Sequence, residues 1–218
     1  MSRSSVKSIC LDRLQTLRRA LLVLGFFSIF VSGYAQRWPF ELFHEGKVIL
    51  SNGDTLKGLV KYDIQQEVVQ FAKAERHPLV YSARKVLYFE IFDNSVHQYR
   101  QFFALPYSPS GAYESPVFFE LLSEGKLTLL TKEELEYRSV PIGYYGGTYT
   151  RQVLVNHFFL MNEKGVIEPF TGKKHDLLQL MGRSGDAVEE FIRRNRLKVD
   201  EKADFAQIVS YYNSLHKG

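Results

Sequence analysis

Short apolar stretches separated by turn-forming residues run from residue 47 to residue 170, and they constrain the fold of this 218-residue chain more than any other feature. They are four to ten residues long and rich in Val, Phe, Tyr and Thr, which is typical of β-strands. After Thr171-Gly172 the apolar residues recur every three or four positions, which indicates helices. Strands followed by helices predict an α+β fold and argue against a βαβ nucleotide-binding fold.

The individual elements follow from these patterns and from the turns between them. Strands are predicted at 47–51, 54–62, 67–72, 79–82, 86–92, 96–103, 117–122, 126–131, 152–161 and 166–170. Three helices are predicted. The first spans 174–181, the second begins at a capping box formed by Asp186 and Glu189, and the third spans about 201–214. The expected architecture is an antiparallel β-meander, or an open barrel or sandwich, of about 8–10 strands followed by two to three C-terminal helices.

The first hairpin, around Ser51-Asn52-Gly53, allows the strand register to be predicted. A three-residue loop with a left-handed Gly53 pairs Val48 with Leu56 and places Leu50 opposite Asp54. The apolar side chains then share one face, whereas a one-residue slip would mix polar and apolar residues. Gly46 and Gly58 fall opposite each other on the apolar face, which indicates that another element approaches the backbone closely there.

The first 35 residues have the pattern of a secretory signal peptide. A basic region containing Arg18 and Arg19 precedes an apolar run over 20–34, and Gly33 and Ala35 provide the small residues of a cleavage site. We expect cleavage between Ala35 and Gln36, export to the periplasm or the cell exterior, and no stable transmembrane anchor afterwards. The rest is predicted to form one domain, with a β-rich region over 36–171 and a helical segment over 172–218 packed against it.

Charge and cysteine content limit the possible functions. Removing the five basic residues and one acidic residue of the leader from 28 basic and 24 acidic residues leaves 23 of each. A formally neutral chain gives no electrostatic reason to expect a nucleic-acid partner. The one cysteine, Cys10, lies in the leader, so we expect no disulfide, thiol nucleophile or cysteine-bound metal in the exported protein.

Sequence motifs for catalysis or metal binding are not found. Asp54 follows an Asn-Gly turn, and its surroundings lack the ligand spacing of a calcium loop, so the turn is interpreted as a hairpin bend. The six histidines show no H-x-x-x-H or H-E-x-x-H spacing, and no nucleophile, Walker or dinucleotide motif is present. We therefore predict no catalytic residues, no metal site and no cofactor.

A glycine- and tyrosine-rich segment, 136–150, is the candidate binding surface. It is predicted to be a long loop, in which Tyr144, Tyr145 and Tyr149 offer aromatic rings to a peptide or glycan. The alternative is a β-connection whose tyrosines pack on the sheet. The C-terminal helices have a similar pair of interpretations, as a docking face for another protein or as a cover for one end of the β-core.

Three motifs stand out along the chain: G-x-[IV]-x4-GDTL-x-G-x-[VI]-x-Y (Gly46 to Tyr62), F-x-x-L-x-x-G-K-L-x-L-L (Phe119 to Leu130) and the final helix ending Tyr211-Tyr212-Asn213. Together with a leader that ends in Ala-Gln, they resemble those of uncharacterised exported β-rich proteins common in Bacteroidota. The resemblance implies an exported β-rich domain. It supplies no catalytic residues, since its motifs consist of turns and core positions.

These observations favour an exported, non-enzymatic binding or interaction module of the bacterial envelope, with an envelope protein, a peptide or a glycan as partner. One alternative is an envelope hydrolase, or another enzyme, whose site is assembled from dispersed residues. Another is an accessory subunit of an envelope assembly that docks through its helices.

Overall fold

The structure is a computed structural model that describes residues 39–73, 77–94, 96–109, 111, 113–143 and 146–216. The predicted leader and its cleavage site therefore lie outside the described residues. Within these residues, ten strands form one antiparallel open sheet and three α-helices follow them, which confirms the prediction of a β-rich sheet with C-terminal helices. The strands are β1 (His44–Leu50), β2 (Thr55–Asp63), β3 (Val68–Ala72), β4 (Leu79–Ser82), β5 (Val86–Asp93), β6 (Gln98–Tyr107), β7 (Ser115–Ser123), β8 (Thr128–Pro141), β9 (Thr148–Met161) and β10 (Ile167–Phe170).

The sheet is rolled, so that one face encloses most of the core. The strand order is β10-β9-β8-β7-β6-β5-β1-β2-β3-β4, which puts three strands between β2 and β7. In a flat sheet these two strands would be about 19 Å apart. The rings of Tyr62 on β2 and Phe118 on β7 are nevertheless 5.7 Å apart, and both lie against Phe89 on β5. Only strong curvature of the sheet brings these side chains together.

The first hairpin has the predicted register. Val48 pairs with Leu56, and the backbone N–H of Leu50 donates to the Asp54 carbonyl at 2.9 Å. Gly53 has a φ of +91°, which a residue with a side chain rarely adopts. Gly46 and Gly58 are directly paired, and a Cβ on Gly46 would lie 2.1 Å from the backbone oxygen of Glu90 on β5. The close approach predicted from the two glycines is confirmed.

The strands predicted over 96–103 and 117–122 extend further in the structure than the prolines between them suggest. Strand β6 continues to Tyr107, and β7 begins at Ser115. Pro106 and Pro116 are directly opposite each other. The pairing tolerates both because neither residue has an N–H that needs an acceptor. The prolines therefore mark the end of a strand pair and do not interrupt it.

The three helices pack on the same face of the sheet, over β8 and β9. They are α1 (Lys174–Met181), α2 (Gly185–Asn195) and α3 (Lys202–Ser214). Phe205 and Ile208 of α3 are fully buried, and the ring of Phe205 contacts Phe158 of β9 at 5.1 Å. The apolar faces predicted for the helices thus pack against the sheet.

The capping box predicted at the start of α2 is wrong. Helix α2 begins at Gly185, so the predicted cap Asp186 lies inside its first turn. The residue in the capping position is Ser184, and its side chain makes no capping hydrogen bond. A short 3₁₀ turn, Gly182–Ser184, connects α1 to α2 and holds Ser184 in a helical conformation, whereas a capping residue is normally extended. Glu189 instead pairs with Lys174 of α1, with 2.7 Å between the Lys174 Nζ and a carboxylate oxygen.

Two of the three motifs noted in the sequence meet at Asn213, near the end of α3. The Asn213 side chain accepts a hydrogen bond from the Leu127 N–H (3.0 Å) and donates one to the Leu127 carbonyl (2.8 Å). A Cβ on Gly125, which has a φ of +158°, would lie 2.5 Å from the Asn213 side chain. The Gly-Lys-Leu turn between β7 and β8 and the asparagine after Tyr211-Tyr212 therefore form one contact between helix and sheet.

Asn213→Ala is expected to lower the free energy of unfolding by about 2 kcal/mol or more, because two buried backbone groups lose their partner. Asn195→Ala is the control, since Asn195 is an exposed asparagine at the end of α2 that bonds only the Phe191 carbonyl. The control is expected to change stability by less than about 0.5 kcal/mol. Urea denaturation of the two variants checks the difference, and equal losses would contradict the assigned role of Asn213.

Candidate functional site

The hairpin of β8 and β9 extends beyond the body of the sheet. Both strands have 14 residues and pair along their whole length, from Thr128 opposite Met161 to Pro141 opposite Thr148. However, β7 pairs with β8 only at Leu129–Thr131, and β10 pairs with β9 only at residues 158–161. Residues 132–141 and 148–157 therefore pair only with each other among the described strands, and we call this segment the β8–β9 arm; its base packs on the body of the protein through Leu154.

The arm corrects the prediction of a long loop over 136–150. The strands continue to Pro141 and resume at Thr148, so only residues 142–147 connect them. The Ile142 N–H donates to the Gly147 carbonyl at 2.7 Å and closes this turn. Alternating Val, Tyr and Thr residues favour strands, and cross-strand pairing outweighs the glycine content that suggested a loop.

The tyrosines of the arm lie on different faces of it. Tyr149 is opposite Val140, and 47% of its surface is exposed, so the alternative in which this ring is buried in the sheet does not apply. Tyr137, opposite Gln152, is 73% exposed, and its hydroxyl accepts a hydrogen bond from the Gln152 side chain. Tyr144 and Tyr145 lie outside the described residues. As ligand-binding residues, all three predicted tyrosines remain a prediction.

A buried ionic cluster lies where the base of the arm meets α3. The Arg100 guanidinium on β6 bonds both carboxylate oxygens of Glu120 on β7 (2.9 and 2.6 Å) and one oxygen of Glu133 on β8 (2.7 Å). Lys202 of α3 bonds the same two carboxylates, at 2.7 and 3.1 Å. The Glu120 side chain is only 5% exposed. This ionic cluster links three strands to the last helix.

The charges of the ionic cluster stabilise one another. Burial is the largest influence on Glu133 and by itself raises the pKa of its carboxyl, but Arg100 and Lys202 together hold that pKa below its usual range. Burial likewise opposes the charge of Arg100, and Glu120 and Glu133 overcome it and raise the guanidinium pKa. A carboxylate with a depressed pKa and two cationic partners is a poor proton carrier at neutral pH. The cluster is therefore suited to holding α3 on the sheet.

A cavity of about 520 Å³ opens beside the ionic cluster. Its wall combines the cluster with apolar side chains, and Asp93 adds a third carboxylate 4.0 Å from Arg100. Sequence analysis missed this site, because Arg100 and Glu120 are 20 residues apart and Glu120 and Lys202 are 82 apart. The available signal was Glu120, a charged residue within the apolar run 117–122.

In the turn of the first hairpin, Asn52 and Asp54 bond to each other and support the backbone conformation. The Asn52 side chain accepts a hydrogen bond from the Asp54 N–H at 3.0 Å and donates one to the Asp54 carboxylate at 2.7 Å. These contacts form an Asx turn that supports the left-handed Gly53. Among the described residues, no group of three or more His, Cys, Asp and Glu side chains is placed to hold a metal ion.

Comparisons with known proteins give no match: no family model, no curated protein and no solved structure corresponds to this chain. In the part of the chain that the structure describes, no helix has both the length and the apolar character needed to cross a membrane.

Proposed function

We propose that the protein is an exported, non-enzymatic binding module of the bacterial envelope and that the β8–β9 arm carries its contact surface. The leader pattern of residues 1–35 supports export. The observation that carries the proposal is the projecting arm, on which Tyr137 and Tyr149 stay exposed on opposite faces. Exposed tyrosines on a preformed hairpin offer contact area at low conformational cost, which suits an envelope protein, a peptide or a glycan.

The two alternatives have less support. An envelope enzyme requires acidic or basic groups free to exchange protons, whereas the buried carboxylates of the ionic cluster are held by Arg100 and Lys202. An accessory subunit that docks through its helices requires an apolar stripe on their outer side. Within and directly after the described helices, the large apolar side chains that stay exposed are Leu180 and Leu215, too few for such a stripe, while the apolar faces pack on the sheet and on one another.

The proposal predicts that tyrosine substitutions in the arm weaken partner capture. The protein from Gln36 onward, immobilised by a C-terminal tag, is incubated with envelope extract, and the captured material is quantified. Tyr137→Ser and Tyr149→Ser are each expected to reduce capture roughly tenfold or more, because loss of a central aromatic contact costs about 2 kcal/mol of binding.

Tyr113→Ser is the matched control, because Tyr113 is 76% exposed, comparable with Tyr137, and belongs to the connection between β6 and β7, not to the arm. Its capture is expected to equal that of the unmodified protein. Equal capture by all three variants, with unchanged melting temperatures, would refute the arm as the contact surface.

A further inference from the structure

The outer edge of β9 lacks a neighbouring strand along most of its length. Strand β10 pairs with residues 158–161 of β9 and ends at Phe170, opposite Phe158. Gly172 then takes a φ of +90°, and the chain turns into α1. Within the described part of the chain, no strand pairs with the outer side of residues 148–157. We call this segment the β9 edge.

The orientation of the backbone shows which groups of the β9 edge are available. The His157 carbonyl accepts a hydrogen bond from the Thr131 hydroxyl of β8 at 3.1 Å, so it faces β8. Successive residues of a strand direct their N–H and C=O groups to opposite sides. The N–H and C=O groups that face outward along the edge therefore belong to Thr148, Thr150, Gln152, Leu154 and Asn156. Unpaired backbone groups in such a row form a template for another strand.

A groove of about 860 Å³ follows the β9 edge at its junction with β10. Its apolar wall includes Leu154, Phe170 and Val199. The side-chain oxygen of Asn156, which lines the groove, is buried without a hydrogen-bond partner among the described residues. Buried polar atoms are normally satisfied, so this oxygen points to a ligand that brings a donor.

The position of Arg151 on the β9 edge favours an acidic side chain of a partner beside it. Arg151 lies directly opposite Arg138 of β8, and like charges in this position destabilise a strand pair. The Arg138 guanidinium bonds Glu136 at 3.2 Å, whereas no ion pair of Arg151 is found in the described residues. A second copy of β9 cannot correct this imbalance, because residues 148–157 contain no Asp or Glu.

We propose that the β9 edge binds an extended peptide segment of a partner protein, which adds a strand antiparallel to β9 in line with β10 and places an acidic side chain beside Arg151. Main-chain hydrogen bonds to the outward-facing residues provide affinity, and the groove and Arg151 provide selectivity. The inference rests on the proposed function, since it names the class of ligand that the arm receives.

The test uses a fluorescein-labelled nonapeptide of alternating threonine and valine with a central glutamate, and fluorescence anisotropy as the readout. Two comparison peptides have a central lysine or N-methyl groups on alternate backbone amides. We expect the glutamate peptide to bind and both comparison peptides to bind at least tenfold more weakly. N-methylation leaves the side chains unchanged and removes only the donors that pair with β9.

Two protein variants separate the backbone from the side chain at one position. Thr150→Pro removes an outward-facing N–H on an edge strand, where proline is tolerated, and is expected to weaken binding at least tenfold. Thr150→Ala keeps that N–H and is expected to bind as the unmodified protein does. Arg151→Glu is expected to reverse the preference, so that the lysine peptide binds more tightly than the glutamate peptide.

Three results would overturn the inference: no binding of the glutamate peptide, equal binding of the N-methylated peptide, or a concentration-dependent dimer in sedimentation that Thr150→Pro abolishes. The dimer would assign the β9 edge to a second copy of the chain. The comparison with the N-methylated peptide needs no protein variant, so it tests the main-chain pairing with β9 even if Thr150→Pro fails to fold. The two proposals can be refuted separately. If the glutamate peptide does not bind while Tyr137→Ser still reduces capture from extract, only the peptide-binding inference is refuted. If the peptide binds while the tyrosine variants capture normally, only the tyrosine contact surface is refuted.

Discussion

Arg100→Leu is expected to lower the free energy of unfolding by about 3–5 kcal/mol, one of the two largest losses predicted for this protein. The substitution leaves Glu120 and Glu133 buried with Lys202 as their remaining close cationic partner, and the loss follows from uncompensated charge in a poorly solvated site. Chemical denaturation at pH 7, followed by far-ultraviolet circular dichroism, measures the difference between the variant and the unmodified protein.

The control for Arg100 is Arg194→Leu. Arg194 pairs with Glu190 at 3.0 Å on the solvent side of α2, and both side chains are more than half exposed. Exposed pairs of this kind contribute little, so the control is expected to lose less than about 0.5 kcal/mol. Similar losses in both variants would show that the ionic cluster contributes no more than a surface pair.

The effect of Arg100 also has a predicted pH dependence. The folded protein holds the pKa of Glu133 below its ordinary value, so the stabilisation is present above the unfolded-state pKa and is lost as pH falls through the folded-state pKa. Because the ordinary glutamate pKa is about 4.3, the stability gap between the unmodified protein and Arg100→Leu is expected to narrow below about pH 4. A gap that stays constant from pH 7 to pH 3 would contradict the electrostatic explanation.

Gly46→Ala is expected to destabilise the fold by about 3 kcal/mol or more, through steric overlap inside the sheet. The added Cβ would lie 2.1 Å from the Glu90 carbonyl oxygen, and a backbone atom in a paired strand cannot move aside without separating β1 from β5. These two strands carry Val48 and Phe89, which are both fully buried. Denaturant unfolding of the variant measures the loss, and the slope of the transition tests whether unfolding stays two-state.

Gly147→Ala is the matched control for Gly46→Ala. The nearest atom to a Cβ on Gly147 is Ile142 Cδ1 at 3.6 Å, an ordinary van der Waals contact. Its stability is expected to stay within about 0.5 kcal/mol of the unmodified protein. If Gly46→Ala were equally mild, β1 and β5 would have to accommodate a side chain at this position, and the close approach would have no energetic consequence.

Much of the fold could be predicted because the relevant signals act over a few residues. The Asn-Gly turn and the alternation around it determine the register of the first hairpin, down to the pairing of Val48 with Leu56. The apolar spacing of α3 likewise identifies Phe205, Ile208 and Tyr212 as buried. The errors came where neighbouring structure overrides composition, as in the 3₁₀ turn that removes the capping box before α2 and the strand pairing that shortens the glycine-rich loop.

The candidate site could likewise be predicted only where its signals are local in the sequence. Composition alone singled out the tyrosine-rich segment, and Tyr149 is half-exposed on the arm. The end of β10 at Phe170 agrees with the strand predicted over 166–170, but composition gave no indication that no other described strand pairs with the outer side of β9, since the neighbours of a strand depend on the path of the whole chain. Nor did it indicate that Arg100, Glu120, Glu133 and Lys202 meet.

Local features of this protein follow from its sequence alone: its turns, most of its strands, the faces of its helices and the order of strands before helices. Each depends on backbone geometry or side-chain alternation within a few neighbouring residues. The tertiary structure alone decided how the sheet rolls, which charges become buried together and where a strand edge is left open. These depend on contacts between residues 20 to 90 positions apart, such as Arg100 with Glu120 and Asn213 with Ser123, whose formation follows from packing the whole core.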